Sequence, residues 1–448
     1  MSSFKKRVCI VGGGNACHAM AALFPSRGVD TVMYCGFGDE ASRISAGLQK
    51  HGAITAFFDS HNAVTGDVVG RPSLVSDDPS LVIPSSDVIV MPLPSFAYRS
   101  TLEAMKPYMK PGAIVIASPG QGGFDWIAQE ILGEGVAKGD EEGEQGVILS
   151  ALVPMPFNCR ITDFGHHVAV QEFKRNYKVG TMPPSPKAVA AVTEAVEALF
   201  GPCKSAGHFL SVTLHPLNAV IHPARLYCAT ASWRPDRPLP RNPLFYEEMC
   251  EKSGNAIDAV ASEMVTVGKV LREAHGFTDL DVPHIMDFLA KFVYGDYAKD
   301  CHTFFSQQNA YKGFRCPFQQ VPLPADAPAL DAALPQAGAV PSTSSLAEDP
   351  AAPAPGCGFA PDFSNRYFSE DIPLGLALNR GVAEIAGAPR PTIDRLLLWA
   401  QHHMRKEYLI PAPESQAGYV LGGRDVGETA APQRFGIRTV AQLIAGKP

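Results

Sequence analysis

The chain reads as an α/β domain built on a doubly wound sheet over residues 1–207, followed by a mostly α-helical domain over residues 208–448. Three observations carry that reading. Short β-branched runs alternate with helical stretches up to about residue 200, a glycine-rich turn follows the first of those runs, and beyond residue 208 apolar residues fall at helical spacing with few strand signals. At 448 residues the chain is about three times the commonest domain length, so two cores are expected rather than one.

The clearest strands are RVCIV at residues 7–11, VDTVMY at 29–34, DVIVMP at 87–92 and AIVIAS at 113–118, each apolar enough to be covered on both faces. Between the last two lies TLEAMKPYMKPG, whose spacing and closing proline and glycine fit a crossover helix. Such a connection makes its strands parallel neighbours. In the second half, the run from FYEEMCEKSGNAIDAVASEM to VLREAHG predicts a long helix. Residues 321–356 interrupt this texture: more than half are Ala or Pro and none is aromatic. That composition buries too little apolar surface to offset its ordering entropy, so the segment reads as a mobile insertion within the helical domain.

Composition excludes several function classes. Hydrophobic residues make up 46% and charged residues 19%, with no apolar run near the roughly 20 residues of a membrane span, so no membrane partner is expected. Net charge is −7 with scattered positive residues, which argues against nucleic acid. Ten cysteines without a CxxC pair read as reduced thiols rather than as a disulfide framework or a zinc site, and no metal is expected. The opening MSSFKKRVCIVGGG enters a strand directly, the pattern of a cytoplasmic protein. A monomer or a homodimer fits equally.

VCIVGGGNACHAMAALF is a strand, a glycine turn and a helix in the order of a Rossmann-type first βαβ unit. Gly12 permits the tight turn, Gly13 continues it, and Gly14 lets the backbone approach a pyrophosphate. The amides of the next helix, beginning at Asn15 and Ala16, would stabilise its charge. Cys17 stands at the third position of G-x-G-x-x-G, where glycine or alanine is usual. The structural alternative is a turn that binds nothing; its place in a βαβ frame favours the cofactor. The second strand ends in YCGFGDEASR, so Asp39 is the candidate for the adenosine ribose, and Arg43 could meet a 2′-phosphate. NADH/NAD is the expected cofactor, with NADPH/NADP the alternative.

LHPLNAVIHPARLY places His215 and His222 seven residues apart, on one face if the stretch is a single helix. Both could be ordinary part-buried polar residues. The stretch also contains N-x-x-x-H-P, here Asn218 to Pro223. With GGGNACHA, MPFNCRI, PLFYEEM and NRYFSEDIPLGL in the same order, it resembles the octopine/nopaline-type opine dehydrogenases over nearly the whole chain.

That resemblance implies reductive condensation of an amino acid with a 2-oxo acid such as pyruvate, and the reverse oxidation. It assigns His222 as the acid/base, with its ring held by Asp371. The chemistry agrees, since histidine is the side chain whose ordinary pKa lies near neutrality and a carboxylate on its other nitrogen fixes the tautomer. Taken alone, Asp371 would read as a helix N-terminal acid. Arg366 implies a clamp on the amino-acid carboxylate, against a surface salt bridge as the bland alternative. Gln121 and Cys159 imply contacts to the oxo acid, although Pro154 stands where the family has a hydroxyl-bearing residue. Phe288 falls where arginine-using members carry tryptophan, and would otherwise read as helix core. Two competing functions stay open at this point: direct reduction of a 2-oxo acid or of a glycerol-phosphate-like substrate, and a non-catalytic NADH-sensing module.

Overall fold

A computed structural model describes residues 4–59, 62, 64–139, 146–215, 217–296, 298–323, 353–413 and 418–446. The strands expected from apolar runs form: β1 (Val8–Val11), β2 (Thr31–Tyr34), and, after the intervening β3 (Ile54–Phe58), β4 (Gly66–Gly70) and β5 (Leu74–Ser76), also β6 (Val88–Met91) and β7 (Ile114–Ala117). Every residue of β1, β2, β6 and β7 is buried, which is why their sequences are continuous apolar runs rather than alternating ones.

With β8 (Ile148–Val153), β9 (Phe157–Asp163), β10 (His167–Phe173), β11 (Tyr177–Met182) and β12 (Cys203–Ser205), the chain completes an eight-stranded sheet of order β12-β11-β8-β7-β6-β1-β2-β5. All neighbours are parallel except β8 and β11. The order reverses beside β1, so the glycine turn opens at the switch point, where ligands of such sheets bind.

A second sheet, of order β4-β3-β10-β9, was not legible in the sequence. Its strands alternate buried and open residues, and its two antiparallel pairs, β3–β4 and β9–β10, come from distant segments joined through β3 and β10. The helix after the glycine turn, α1 (Asn15–Ser26), has Ala16 to Phe24 all buried, in a core shared with residues of both sheets. Its small Ala and Cys side chains allow that. A Cβ on Gly70 of β4 would collide with the carbonyl of Ala22 in α1, so glycine sets the spacing. His18 pins this layer: Nε2 accepts from Gly165 N at 2.9 Å, leaving Nδ1–H for the carbonyl of Gly14 at 3.1 Å. The next helix, α2 (Glu40–His51), flanks the far edge.

The helical half is organised by α3 (Leu217–Ala229), α4 (Glu251–His275), α5 (Ala377–Ala386) and α6 (Pro391–Met404). The long helix starts at Glu251, later than the periodicity predicts: residues 245–250 are drawn away from it by Arg225. That buried guanidinium donates to the carbonyls of Phe245 at 2.7 Å, Leu244 at 3.1 Å and Glu248 at 3.2 Å. His215 and His222 do not share a helix, because α3 begins only at Leu217.

The alanine- and proline-rich reading also needs correction at its ends. Phe318–Pro322 pairs antiparallel with Cys357–Pro361, so Val321 and Pro322 are ladder residues, while residues 324–352 lie outside the described residues. The last segment returns to the first half: Gln129 donates to the carbonyl of Gly446 at 2.7 Å, and Trp126 packs on Phe435. No described helix is long and apolar enough to cross a membrane.

Candidate active site

The glycine turn is shaped by three different constraints. Gly12 has φ +102°, and a Cβ there would lie 2.8 Å from Leu93 Cδ2. A Cβ on Gly13 would press on the Glu40 carboxylate, which accepts the Gly13 N–H at 2.9 Å. Around Gly14 a Cβ would meet nothing within 4 Å, and no side chain caps α1. The first-turn amides of α1 are therefore accessible to an anion, and the residues fit a dinucleotide pyrophosphate. Gly14, Asn15 and Ala16 line a cavity of about 470 Å³. Asn15 Oδ1 accepts from Ile161 N at 2.8 Å, which brings β9 alongside the turn.

Asp39 lies outside this lining: its side chain is mostly exposed and pairs with Arg43 at 3.6 Å. The acid that does reach the turn is Glu40, one residue later.

On the opposite wall His222 and Asp371 meet. Nδ1 lies 2.7 Å from Asp371 Oδ2, and Nε2 lies 3.2 Å from the hydroxyl of Tyr246. The network assigns the tautomer: Nδ1–H donates to the carboxylate and Nε2 accepts from the phenol. Tyr367 stacks on the ring at 4.1 Å and 20°, and Phe245 meets it edge-on at 5.2 Å, so the ring plane is fixed from two sides. Local sequence explains the approach. Asn365 caps a short helix, Arg366–Ser369, that presents Arg366 and Tyr367. A Cβ on Gly375 would lie 2.5 Å from that of Ala219 in α3, so glycine lets the segment carrying Asp371 settle on the helix carrying His222.

Next to the dyad, Glu370 is a buried hub. One oxygen accepts Ser95 N at 2.8 Å and Gln121 Nε2 at 3.3 Å, and the other holds Arg366 Nη2 at 2.9 Å. Burial raises its pKa, Arg366 opposing. The hub ties the loops after β6 and β7 to the helical half. Arg366 is thus both ion-paired and cavity-lining, and Gln121 lines the cavity from the carboxyl end of β7. Cys159 lines it too, as a neutral thiol pushed up to about 12 by burial.

Phe288 does not line the cavity. It is buried behind His215, whose ring meets it edge-on at 4.8 Å. Burial, helped by Lys178, pulls His215 down to about 4, so it stays neutral, with Nδ1 held by the carbonyl of Ser211.

Sequence reasoning missed Tyr246, Tyr367, Glu370 and Lys174. The first three lie inside the quoted motifs PLFYEEM and NRYFSEDIPLGL, but nothing in a linear motif says which member faces the histidine. Among the described residues one group of metal-type ligands converges, His51, Asp163 and His166, whose ligand atoms lie within 4.8 Å of one another. It is at the surface, and the two imidazoles are stacked face to face at 3.7 Å rather than aimed at a common point.

Comparison with known proteins agrees with this geometry. A family model described as NAD/NADP octopine/nopaline dehydrogenase, alpha-helical domain, matches residues 205–404. Octopine dehydrogenase of Pecten maximus is 30% identical, the alignment covering 98% of this chain and 99% of that one. Tauropine dehydrogenase of Arabella iricolor is also 30% identical, over 97% of this chain and 99% of its own. A solved octopine dehydrogenase with NADH and L-arginine superimposes with a TM-score of 0.77 at 28% identity, over 99% of both chains. Full-length similarity of that kind, around a glycine turn facing a histidine–aspartate dyad, means that the chain belongs to the octopine/nopaline-type opine dehydrogenases, a family of NAD(P)-dependent oxidoreductases.

Proposed function

We propose that the protein is an opine dehydrogenase acting on CH–NH donors: it condenses an amino acid with a 2-oxo acid such as pyruvate and reduces the resulting imine, or runs the reverse oxidation. The observation that carries this reading is the His222–Asp371 pair lining the same cavity as the open N-terminus of α1. Residues 1–207 hold the cofactor through Gly12, Gly13, Gly14 and the first amides of α1, and residues 208–448 supply the dyad. NADH, when bound, supplies the hydride.

The chain's own residues then have defined tasks. His222 Nε2 takes a proton from the substrate ammonium, freeing the amine that attacks the carbonyl carbon, and returns that proton to the hydroxyl that departs as water. Asp371 keeps the tautomer fixed and favours the imidazolium that forms. Tyr246 occupies Nε2 and exchanges with the incoming amine. Arg366 and Gln121 orient a substrate carboxylate from the Glu370 side. Apposition of the reactants between these walls supplies much of the rate.

The test is NADH oxidation by purified protein against a matrix of amines and 2-oxo acids. Oxidation that requires both partners supports the proposal. Oxidation with an oxo acid alone assigns direct 2-oxo acid reduction, and none with any pair overturns both.

A further inference from the structure

A buried cation in the cavity has no part in the chemistry so far. Lys174, at the end of β10, is 4% exposed and lines the cavity, yet its ammonium makes a single hydrogen bond there, to Asn158 Oδ1 at 3.1 Å. An ammonium has three donors, and a buried one is seldom left so sparsely paired. Desolvation pulls its pKa down to about 8, with Glu172, near the end of β10, opposing, as expected of a cation short of an anionic partner.

Charge in the cavity is lopsided. Among the described residues Arg160, Lys174 and Arg366 line it together with one carboxylate, Asp371, already bonded to His222. Arg366 has Glu370. Arg160 sits over Phe314 at 4.8 Å, donates to the carbonyl of Cys159 at 3.0 Å and is itself exposed. Lys174 is the buried cation of the three.

Its position relative to His222 selects which substrate. The two are joined through an aromatic wall: Tyr246 bonds His222 and stacks on Tyr311 at 4.5 Å, Tyr294 donates to the hydroxyl of Tyr311 at 3.4 Å, and Asn158 Nδ2 donates to the carbonyl of Ala310, next to Tyr311, at 3.2 Å. In the condensation the carboxyl carbon of the oxo acid is one bond from the reacting carbon. That of an α-amino acid is three bonds away, and the sulfur of an aminosulfonate four. The farther subsite therefore suits the amine.

We infer that Lys174 and Asn158, rather than Arg366, form the subsite for the acid group of the amine substrate, which is a carboxylate or sulfonate, that this amine carries no second positive charge, and that Arg366 with Gln121 is left to the oxo acid. The inference rests on the opine dehydrogenase reading and names the substrate class within it. A cationic side chain would enter a cavity already rich in cations, with its one lining carboxylate engaged.

The experiment compares the wild type with Lys174→Met, which keeps the stem and removes the charge, using pyruvate with L-alanine, taurine or L-arginine. Expected are a KM for L-alanine or taurine raised roughly tenfold or more, a KM for pyruvate within about threefold, and unchanged NADH binding by fluorescence. Wild type is expected to prefer L-alanine or taurine to L-arginine. Titration of the NADH-bound wild type and variant with taurine and L-alanine provides a readout independent of turnover, with the same loss of affinity expected. Turnover with an unaltered amine KM, a rise confined to pyruvate, or a preference for L-arginine overturns the inference while leaving the opine reading intact. Absence of both turnover and amine binding in the wild type overturns the two together. Lys174→Arg, which preserves the charge, checks for a folding defect: recovery of the amine KM supports the assignment.

Discussion

Asp371 Oδ2 lies 2.7 Å from His222 Nδ1 although 149 positions separate the two residues in sequence. The contact depends on Gly375, which lets the segment after Asp371 lie against Ala219 of α3. If the pair acts as one unit, His222→Ala lowers kcat by about 100- to 10,000-fold, the usual worth of general acid/base catalysis, with NADH affinity near normal. Asp371→Asn costs no more than the histidine change, and the double variant is little worse than His222→Ala alone. Stopped-flow turnover and NADH fluorescence titration measure the two quantities separately. Additive losses would break the pair, and inactivity of His215→Ala with retained activity of His222→Ala would move the role to the other histidine.

Gly14→Asp tests the nucleotide site without testing the fold. A side chain there meets open space, and a negative charge at the start of α1 complements the helix dipole, so Tm should stay level or rise slightly. The same carboxylate would occupy the position a pyrophosphate needs, and NADH affinity should fall by about 100-fold or more. Differential scanning calorimetry with NADH titration distinguishes this from global damage, which would lower both.

Asp125 gives a pH dependence of stability with a defined sign. It is buried, accepts a hydrogen bond from Thr213 at 3.1 Å, and is pushed up to about 7 by desolvation from a usual value of 3.8. The folded state binds this proton more tightly than the unfolded chain, so the stabilisation is complete below pH 3.8 and is lost as pH rises to about 7, by at most about 1.4 kcal/mol per pH unit. Asp125→Asn removes the titration and can still bond Thr213. Its Tm advantage over wild type should be larger at pH 8 than at pH 5; an advantage independent of pH would refute this origin.

Replacing residues 324–352 by a short Gly/Ser turn should leave Tm and kcat close to wild type. The ladder ends at Pro322 opposite Cys357, and Leu323 N donates to the carbonyl of Gly356 at 2.9 Å, so the two ends already lie side by side as a hairpin requires. A cooperative loss of structure in circular dichroism melts would show that these residues carry packing.

What the sequence determined by itself is whatever local chemistry dictates. Continuous apolar runs mark β1, β2, β6 and β7 because those strands are covered on both faces, and Gly12 and Gly14 mark the turn because of backbone φ and open space at those two positions. Resemblance in the ordered motifs added His222, Asp371, Arg366 and Gln121. The rest was decided by contacts between distant segments. The second sheet joins β3 to β10, 113 residues later by first residue, Arg225 pulls residues 245–250 out of the predicted helix, Glu40 accepts the amide of Gly13 in the glycine turn, and Phe288 packs behind His215 rather than in the cavity. Each of these outcomes turns on which buried polar group finds its partner and which face of an element is covered, and both are fixed only when the layers close on one another.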